Sequence, residues 1–224
     1  IKNFRCKNKM NKLIQVAIDS PAAAGAGTQA KLIAKHYNLL YLDTGKIYRF
    51  IGNLKIQSKK KFNYTLIEKK IRKLKIRNLQ SSVLLSNKVA TEASIVAKDK
   101  KIRKIVYNFQ IKCAYRPSKK FSGSILDGRD ITSVIMKNAM FKFFITANIR
   151  TRALRRYKEL KLLNKKTTYK EVLKSIKIRD KNDYNRKISP LKKTRDSILI
   201  NTTNLTKRSC FLKIKQIMDK QLNN

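Results

Sequence analysis

Acidic residues are scarce in this sequence, which has 13 Asp and Glu against 55 Lys and Arg in 224 residues and so a formal net charge of +42. So basic a chain suggests polyanionic partners. Long apolar runs are also missing, since none reaches the roughly 18 residues that a membrane helix needs. The opening segment, IKNFRCKNKM, lacks the apolar stretch of a signal peptide. We therefore expect no membrane span and no export, and we predict a cytoplasmic location.

Cysteine and histidine are rare as well. The three cysteines, Cys6, Cys113 and Cys210, are far apart in the chain and form no C-x-x-C pair. This pattern argues against a disulfide framework and against a zinc site, and it favours inert filler residues. His36 is the only histidine, and no spacing identifies the Ser and Asp partners that a hydrolytic triad would need. A histidine-based triad is therefore disfavoured.

The basic residues are spread along the whole chain and are not gathered in one arm or helix. Dedicated nucleic-acid binders more often concentrate their charge and interleave it with aromatic residues or carry a recognisable module. No zinc-finger or RRM signature is present. We interpret the charge as a compositional bias of the surface and expect no specific nucleic-acid partner. A basic RNA- or ribosome-associated protein stays the alternative hypothesis, and it predicts binding that collapses with salt.

Hydrophobic residues make up 42% of the chain, enough for one large domain or two small ones. Short apolar runs predict strands at 13–18, 39–42, 124–126, 141–146 and 197–200. Amphipathic patterns predict a helix around 30–37, a second that begins at position 43 or 44, and a third around 66–74. Further helices are predicted over 92–109, 150–163, 169–180 and 205–222. Strands that alternate with helices indicate an α/β fold with a mostly parallel sheet.

A glycine loop, residues 20–28 (SPAAAGAGT), joins the first predicted strand to the first helix. Such a turn binds phosphate because free backbone N–H groups and the positive end of the helix dipole converge there. Compared with the pattern G-x-x-x-x-G-K-S/T, the segment keeps the second glycine, Gly25. Ser20 replaces the first glycine, Ala26 takes the place of the lysine, and Thr28 lies one place past the usual hydroxyl position. On these residues alone, a phosphate site and a plain turn are equally open.

Further motifs follow along the chain: LDTGKIYR, VATEAS, ILDGRDITSVI, and IRDKNDYNR followed by SPL. Together with IDSPAAAGAGT, they occur in the order and approximate spacing of bacterial cytidylate kinases, which are nucleoside monophosphate kinases of the P-loop NTPase group. The sequence resembles this family over residues 13–222. The resemblance implies a three-layer P-loop kinase fold, in which helices flank a parallel sheet. It also implies a core at 13–52, 89–150 and 187–224, a small CMP-binding insertion at about 53–88 and a helical lid at about 151–186. Residues 1–12 are polar and basic without periodicity, and we expect them to form a basic N-terminal extension.

The family transfers the γ-phosphoryl group of ATP to CMP or dCMP in pyrimidine nucleotide metabolism, with Mg²⁺ as cofactor. The resemblance implies this activity and a monomer. Phosphoryl transfer has a loose transition state, which needs positioned cations and backbone donors more than a covalent nucleophile. By resemblance, the residues that bind ATP are Ser20, Pro21, Ala22, Ala23, Ala24, Gly25, Ala26, Gly27, Thr28, Arg152, Arg155 and Arg156. Thr28 is also expected near Mg²⁺. For the three arginines of the lid, a solvated basic helix is nearly as good an interpretation.

The resemblance also implies an acceptor site. Its members fall into groups by the part of CMP that they contact: Ser94, Arg103 and Asp130 for the cytosine edge; Arg49, Arg129 and Arg186 for the phosphate; Arg179 and Asp183 for the sugar; and Thr44 and Tyr48 for the pocket wall. A planar guanidinium group can donate two hydrogen bonds to a phosphate at once, which a lysine ammonium does not do. This difference explains why arginine is found at these positions. The residues implied as catalytic are Asp127, Arg129 and Arg186, with Asp127 orienting Mg²⁺ through water.

The missing lysine is the main departure from the family pattern. Its loss at Ala26 removes a charge that stabilises the transferring group. Lys31, Lys46 and a lid arginine are candidate replacements, and a nucleotide-binding homologue with weakened catalysis is a further alternative. The segment 53–88 is shorter than the usual CMP-binding insertion, which leaves the choice among CMP, dCMP and UMP open.

Overall fold

The computed structural model describes residues 13–164 and 166–223. The predicted basic extension at 1–12, with Cys6, lies outside these residues. In the described ranges, one sheet is formed by β1 (Ile14–Asp19), β2 (Leu39–Asp43), β3 (Gly123–Gly128), β4 (Phe141–Thr146) and β5 (Ile198–Asn201). The strand order is β2-β3-β1-β4-β5, and every neighbouring pair is parallel. The predicted α/β fold with a parallel sheet is therefore confirmed.

Helices cover both faces of the sheet, as parallel strands require. The α-helices of the described part are α1 (Ala26–His36), α2 (Thr44–Ser58), α3 (Tyr64–Arg72), α4 (Asn87–Val96), α5 (Lys100–Tyr115), α6 (Ile149–Leu162), α7 (Tyr169–Asn185) and α8 (Lys207–Leu222). Short 3₁₀ helices at Lys59–Lys61, Ile76–Gln80 and Ser82–Leu85 connect α2, α3 and α4, and a short π-helix at Ile131–Ile135 follows β3.

Two apolar layers make the fold three-layered. On one face of the sheet, Leu126 packs with residues of α2 and α5 such as Ile51 and Val106. On the other face, Ile18 and Phe143 pack with residues of α1 and α8. Cys113 lies in the first layer and Cys210 in the second, and both are buried and free. Their predicted role as inert fillers is consistent with this burial.

The single helix predicted over 92–109 is wrong. The chain forms α4 and α5 there, separated at residues 97–99. Asp99 causes the break, because its Oδ1 accepts hydrogen bonds from the backbone N–H groups of Lys101 at 2.8 Å and Ile102 at 3.0 Å. A capping carboxylate satisfies the first amides of a new helix and so competes with continuation of the old one.

Helix α7 is longer than predicted and ends at Asn185, not at position 180. It therefore carries most of the R-D-x-x-D-x-x-R pattern on consecutive turns. Arg179 and Asp183 are four positions apart, so their side chains share one helix face. Helix α2 likewise continues to Ser58, across the predicted border at 52/53. The domain borders themselves stay a prediction.

Candidate active site

The carboxyl ends of the central strands meet around one large cavity of about 890 Å³. Strand β1 leads into the glycine loop, β2 ends at Asp43, and β3 ends at Gly128. Ligands of open α/β sheets bind at this edge, where the loops that follow the strands diverge. Of the 23 residues predicted to form the site, 21 line the cavity; the two exceptions are Ala22 and Arg152.

The glycine loop enters α1 through two residues with positive φ. Gly25 has a φ of 90° and directly precedes the helix, and Ala23 has a φ of 60°. The backbone N–H groups of the first helical turn have no acceptor inside the helix. Together with the helix dipole they form an anion site at the mouth of the loop. Ala26 is buried at the start of this helix and offers no charge, as the sequence indicates.

Arg152 and Ala22, which is a member of the glycine loop, are not among the residues that line the cavity. The Arg152 side chain is only 7% exposed and pairs with Asp180 across 2.7 Å. This placement does not match the predicted role of Arg152 as a lid residue that closes over ATP, because its guanidinium is already bound within the protein. Arg155 and Arg156 do line the cavity. Arg155 donates to the backbone oxygen of Thr202 at 2.6 Å.

One end of the cavity holds two ion pairs from the predicted acceptor site. Arg103 donates from Nη2 to Asp130 Oδ2, and its guanidinium lies 5.4 Å from the centre of the Tyr48 ring. Arg186 Nη2 is 3.8 Å from Asp130 Oδ1 and is a buried nitrogen that lacks a hydrogen-bond partner in the described structure. Ser94 lines the same region and donates to the Thr91 carbonyl at 2.7 Å. Polar atoms are thus concentrated where the sequence predicts the base.

A cluster of arginines also lines the cavity. Burial lowers the pKa of Arg179 to about 10, and the nearby charges of Arg129, Arg49 and Arg156 contribute to this lowering, while Asp183 opposes it. Arg129 is anchored by Asp183 at 2.6 Å. Four cations that repel one another in a cleft form a site for an anion, since a bound phosphate would remove the repulsion.

Two carboxylates face each other at the ends of β2 and β3. The sheet register pairs Asp43 with Asp127. Burial raises the pKa of Asp127 well above its ordinary value, and the charge of Asp43 raises it further. Asp127 Oδ1 is buried and lacks a hydrogen-bond partner in the described structure. Thr44 Oγ1 donates to the backbone oxygen of Asp127 at 2.9 Å and Tyr41 makes a hydrogen bond with the side chain, so Oδ1 is the carboxylate oxygen left to bind another ligand.

This donor set fits a hard divalent cation. Mg²⁺ prefers oxygen ligands and usually combines one or two carboxylates with waters and substrate phosphates. The described residues contain no group of three or more His, Cys, Asp or Glu side chains that could hold a metal alone. A cation at Asp127 would therefore need phosphate oxygens to complete its ligands. Thr28, the predicted hydroxyl near Mg²⁺, also lines the cavity.

Several cavity residues were not predicted as site residues. Among them are the polar residues Tyr41, Asp43, Glu159, Asn182 and Lys207. Only Asp43 had a usable signal, because it directly follows a predicted strand, as Asp127 does. Among the predicted replacements for the missing lysine, Lys31, Arg155 and Arg156 line the cavity, whereas Lys46 is not among the lining residues.

A comparison with known protein families identifies the family of this chain. The family model described as cytidylate kinase matches residues 16–220. The chain belongs to the cytidylate kinase family. A cytidylate kinase of Clostridium perfringens strain SM101 is 37% identical over 223 residues, which cover 94% of this chain and 100% of that protein. A cytidylate kinase of Bartonella tribocorum is 38% identical over 201 residues, covering 88% of this chain and 90% of that protein.

A solved structure supports the fold independently. The crystal structure of an uncharacterized protein from Eubacterium ventriosum aligns with a TM-score of 0.55 at 17% identity, over 91% of this chain and 97% of that one. At this identity the likeness shows the fold alone. No helix in the described part of this cytidylate kinase family member is long and apolar enough to cross a membrane.

Proposed function

We propose that this member of the cytidylate kinase family transfers the γ-phosphoryl group of ATP to CMP or dCMP, giving ADP and CDP or dCDP. The observation that carries the proposal is a single cavity with two kinds of anion site. The glycine loop lies at one side, and the arginine cluster with the Arg103–Asp130 pair lies at the other. One chain supplies this cavity, so the proposal needs no second subunit. We also propose that the protein is a monomer and that it acts on free nucleotides in the cytoplasm.

The donor side of the proposal consists of the glycine loop and the lid. Backbone N–H groups at the start of α1 bind the ATP phosphates. Arg155 and Arg156 approach from α6, with Arg156 held by Glu159 at 2.8 Å. Mg²⁺ bound with ATP would be held by Asp127 and Thr28, with Asp43 beside them, and would neutralise charge on the β- and γ-phosphates.

The acceptor side recognises a cytidine monophosphate by charge and by hydrogen bonds. Arg49, Arg129 and Arg186 bind its phosphate through planar forks. The carboxylate of Asp130 accepts from the amino group of cytosine, and Arg103 donates to the ring carbonyl edge. Uracil has a carbonyl where cytosine has the amino group, so UMP would place an oxygen against the Asp130 carboxylate. Ser94 contributes a further polar contact to the base.

The remaining acceptor residues hold the sugar and shape the pocket. Asp183 and Arg179 lie on one face of α7 and bind the ribose hydroxyl groups. Thr44 and Tyr48 are buried in α2 and form the wall. Gly128 must stay small there, because a Cβ on it would lie 2.4 Å from Thr44 Oγ1.

The chemistry needs no covalent intermediate. An oxygen of the CMP phosphate attacks the γ-phosphorus of ATP in line, and the bond to the β-γ bridging oxygen breaks. Arg129 and Arg186 place the attacking phosphate and offset its charge. The low exposure of the surrounding side chains strengthens these interactions in the transition state.

A coupled assay of ADP release tests the proposed function. Purified protein with ATP and Mg²⁺ is given CMP, dCMP, UMP or AMP in turn. ADP release with CMP and dCMP, and much less with UMP and AMP, is the expected result. Background rates with all four acceptors would contradict the proposal. Tight RNA binding with a steep salt dependence in that same preparation would favour the alternative hypothesis.

A further inference from the structure

Ala22 lies inside the glycine loop, yet both of its backbone polar groups are used by side chains of the lid helices. Its N–H donates to Asp180 Oδ1 at 3.1 Å, and its carbonyl accepts from Arg152 Nη1 at 2.8 Å. Both hydrogen bonds are buried. The Ala22 amide is therefore not available to an ATP phosphate, unlike the amides at the start of α1.

The two side chains that hold Ala22 also hold each other. Arg152 Nη1 and Asp180 Oδ2 are 2.7 Å apart, and Arg152 Nε donates to the Ala147 carbonyl at 2.9 Å. The three contacts among Ala22, Arg152 and Asp180 close a triangle, which we name the loop clamp. Each of the three residues takes part in two of the contacts, so displacing any one of them breaks two interactions. The loop clamp is therefore held more rigidly than an exposed ion pair.

Apolar packing fixes the loop clamp from the same side. The Ala22 methyl group is buried in a cluster with Ala153 of α6 and with Val172 and Ile176 of α7. This cluster is separate from the two layers that cover the sheet. The glycine loop is thus attached to the α6–α7 pair by side-chain burial as well as by hydrogen bonds.

The next residue explains why such a clamp is needed. Ala23 has a φ of 60°, a left-handed conformation that disfavours any residue with a Cβ. A strained residue keeps this conformation only when its surroundings impose it. The clamp grips the peptide groups on either side of Ala22, immediately before the strained residue.

We propose that Arg152 and Asp180 are positioning residues that hold the glycine loop in its ATP-binding shape and couple it to the lid helices. Helix α6 carries Arg155 and Arg156, and α7 carries Arg179 and Asp183. The inference rests on the proposed function, and it gives a role to Asp180, the member of the R-D-x-x-D-x-x-R pattern that has no place at the cavity.

The test compares two changes at Asp180. Asp180→Ala removes every clamp contact of that residue, whereas Asp180→Asn keeps an oxygen that accepts from the Ala22 amide. We expect ATP affinity, measured by calorimetry without acceptor, to fall about tenfold or more in the alanine variant, since a hydrogen bond to a charged group is lost. The asparagine variant should lie between the wild type and the alanine variant. CMP affinity should change much less than ATP affinity.

Two controls separate positioning from general stability. Urea unfolding shows that each variant is folded at the assay temperature. Asp196→Asn removes the carboxylate charge from the Lys142–Asp196 pair, in which Asp196 is 60% exposed. Because Asp196 precedes β5 and the glycine loop follows the end of the parallel strand β1, this change should leave ATP affinity unchanged. A merely structural role predicts lower unfolding midpoints with ATP affinity and KM for ATP unchanged in the folded variants.

The outcomes distinguish the inference from the proposed function. Wild-type turnover of CMP with equal ATP affinity in folded Asp180→Ala would overturn the inference alone. Absence of turnover with any acceptor, combined with ATP affinity that depends on Asp180, would overturn the proposed function and support the clamp. Absence of ATP binding by the wild type would overturn both.

Discussion

Arg129 Nε lies 2.6 Å from Asp183 Oδ2, so the arginine that follows strand β3 is joined to helix α7, 54 residues later in the chain. The same arginine donates from Nη1 to the Gly128 carbonyl at 3.2 Å. Two anchors thus set the plane of the guanidinium at the edge of the cavity. Asp183 therefore orients the guanidinium of Arg129, and we also propose that it binds the ribose of CMP.

Replacing Arg129 by Lys is expected to lower kcat/KM for CMP by about 100-fold, because lysine keeps the charge but loses the planar fork and both anchors. Steady-state kinetics with varied CMP measures this loss. Arg195→Lys is the matched control, because Arg195 is exposed and is not among the residues that line the cavity. A rate for Arg129→Lys close to that of the control would contradict the proposed phosphate contact.

The missing loop lysine leads to a second prediction. Lys31 lies one turn into α1 and lines the cavity, and its charge lowers the pKa of Asp127 against the stronger effect of burial. Side chains of a helix lean toward its N-terminus, so Lys31 points back over Gly27. We expect Lys31→Gln to lower kcat at least about tenfold. Lys35→Gln, on the same helix but outside the cavity lining, should leave kcat unchanged.

A lysine restored to the loop checks the same idea from the other direction. Ala26→Lys should recover much of the activity in the Lys31→Gln background and change the wild type little. This dependence of one substitution on the other identifies a shared role. A large gain from Ala26→Lys in the wild type, with no loss from Lys31→Gln, would show that the chain has no built-in replacement.

Ala23→Gly is expected to stabilise the fold. The φ of 60° costs a residue with a Cβ roughly 1 kcal/mol or more, and glycine removes this cost. The free energy of unfolding in urea should therefore rise by up to about 1 kcal/mol. Ala24→Gly is the control: Ala24 is 1% exposed and is not among the residues with positive φ, so this change should destabilise. If both substitutions destabilise equally, the strain at Ala23 does not exist in solution.

Asp19 predicts a pH dependence of stability. Burial raises its pKa from 3.8 to about 6, although hydrogen bonds from Thr132 Oγ1 and from the backbone N–H groups of Ile131 and Thr132 lower it. The folded state therefore keeps a proton that the unfolded state loses. The contribution of Asp19 to the free energy of unfolding falls as pH rises between these two values and is constant above them.

A comparison with Asp19→Asn isolates this effect from other titrating groups. The substitution should destabilise at every pH, because an amide offers fewer acceptors to the three donors. The difference from the wild type should be largest near pH 4 and should shrink by about 2 to 3 kcal/mol at pH 7 and above. Unfolding in urea at several pH values measures it. A difference that is constant or grows with pH would mean that the hydrogen bonds keep Asp19 ionised in the folded protein.

The strands and the motif residues could be predicted from the sequence because both depend on neighbours in the chain. All five predicted strands exist, and their ends differ from the prediction by two residues at most. A buried parallel strand needs only a short apolar run, and a glycine loop needs only residues in contiguous order. The break between α4 and α5 was missed because Asp99 lies inside an apolar period that continues on both sides, and the pattern alone does not show that a carboxylate caps a helix.

Contacts between distant parts of the chain were decided by the tertiary structure. The sequence by itself determined that arginines and carboxylates of the right types exist for a nucleotide kinase site. It did not determine that Asp43 faces Asp127, which follows from the register of β2 on β3. Nor did it determine that Arg152 turns away from the cavity to Asp180 and Ala22, because that choice depends on how α6 and α7 pack against the glycine loop. Burial at those contacts sets which charges are paired and which are left to bind a ligand, and burial exists only in the folded chain.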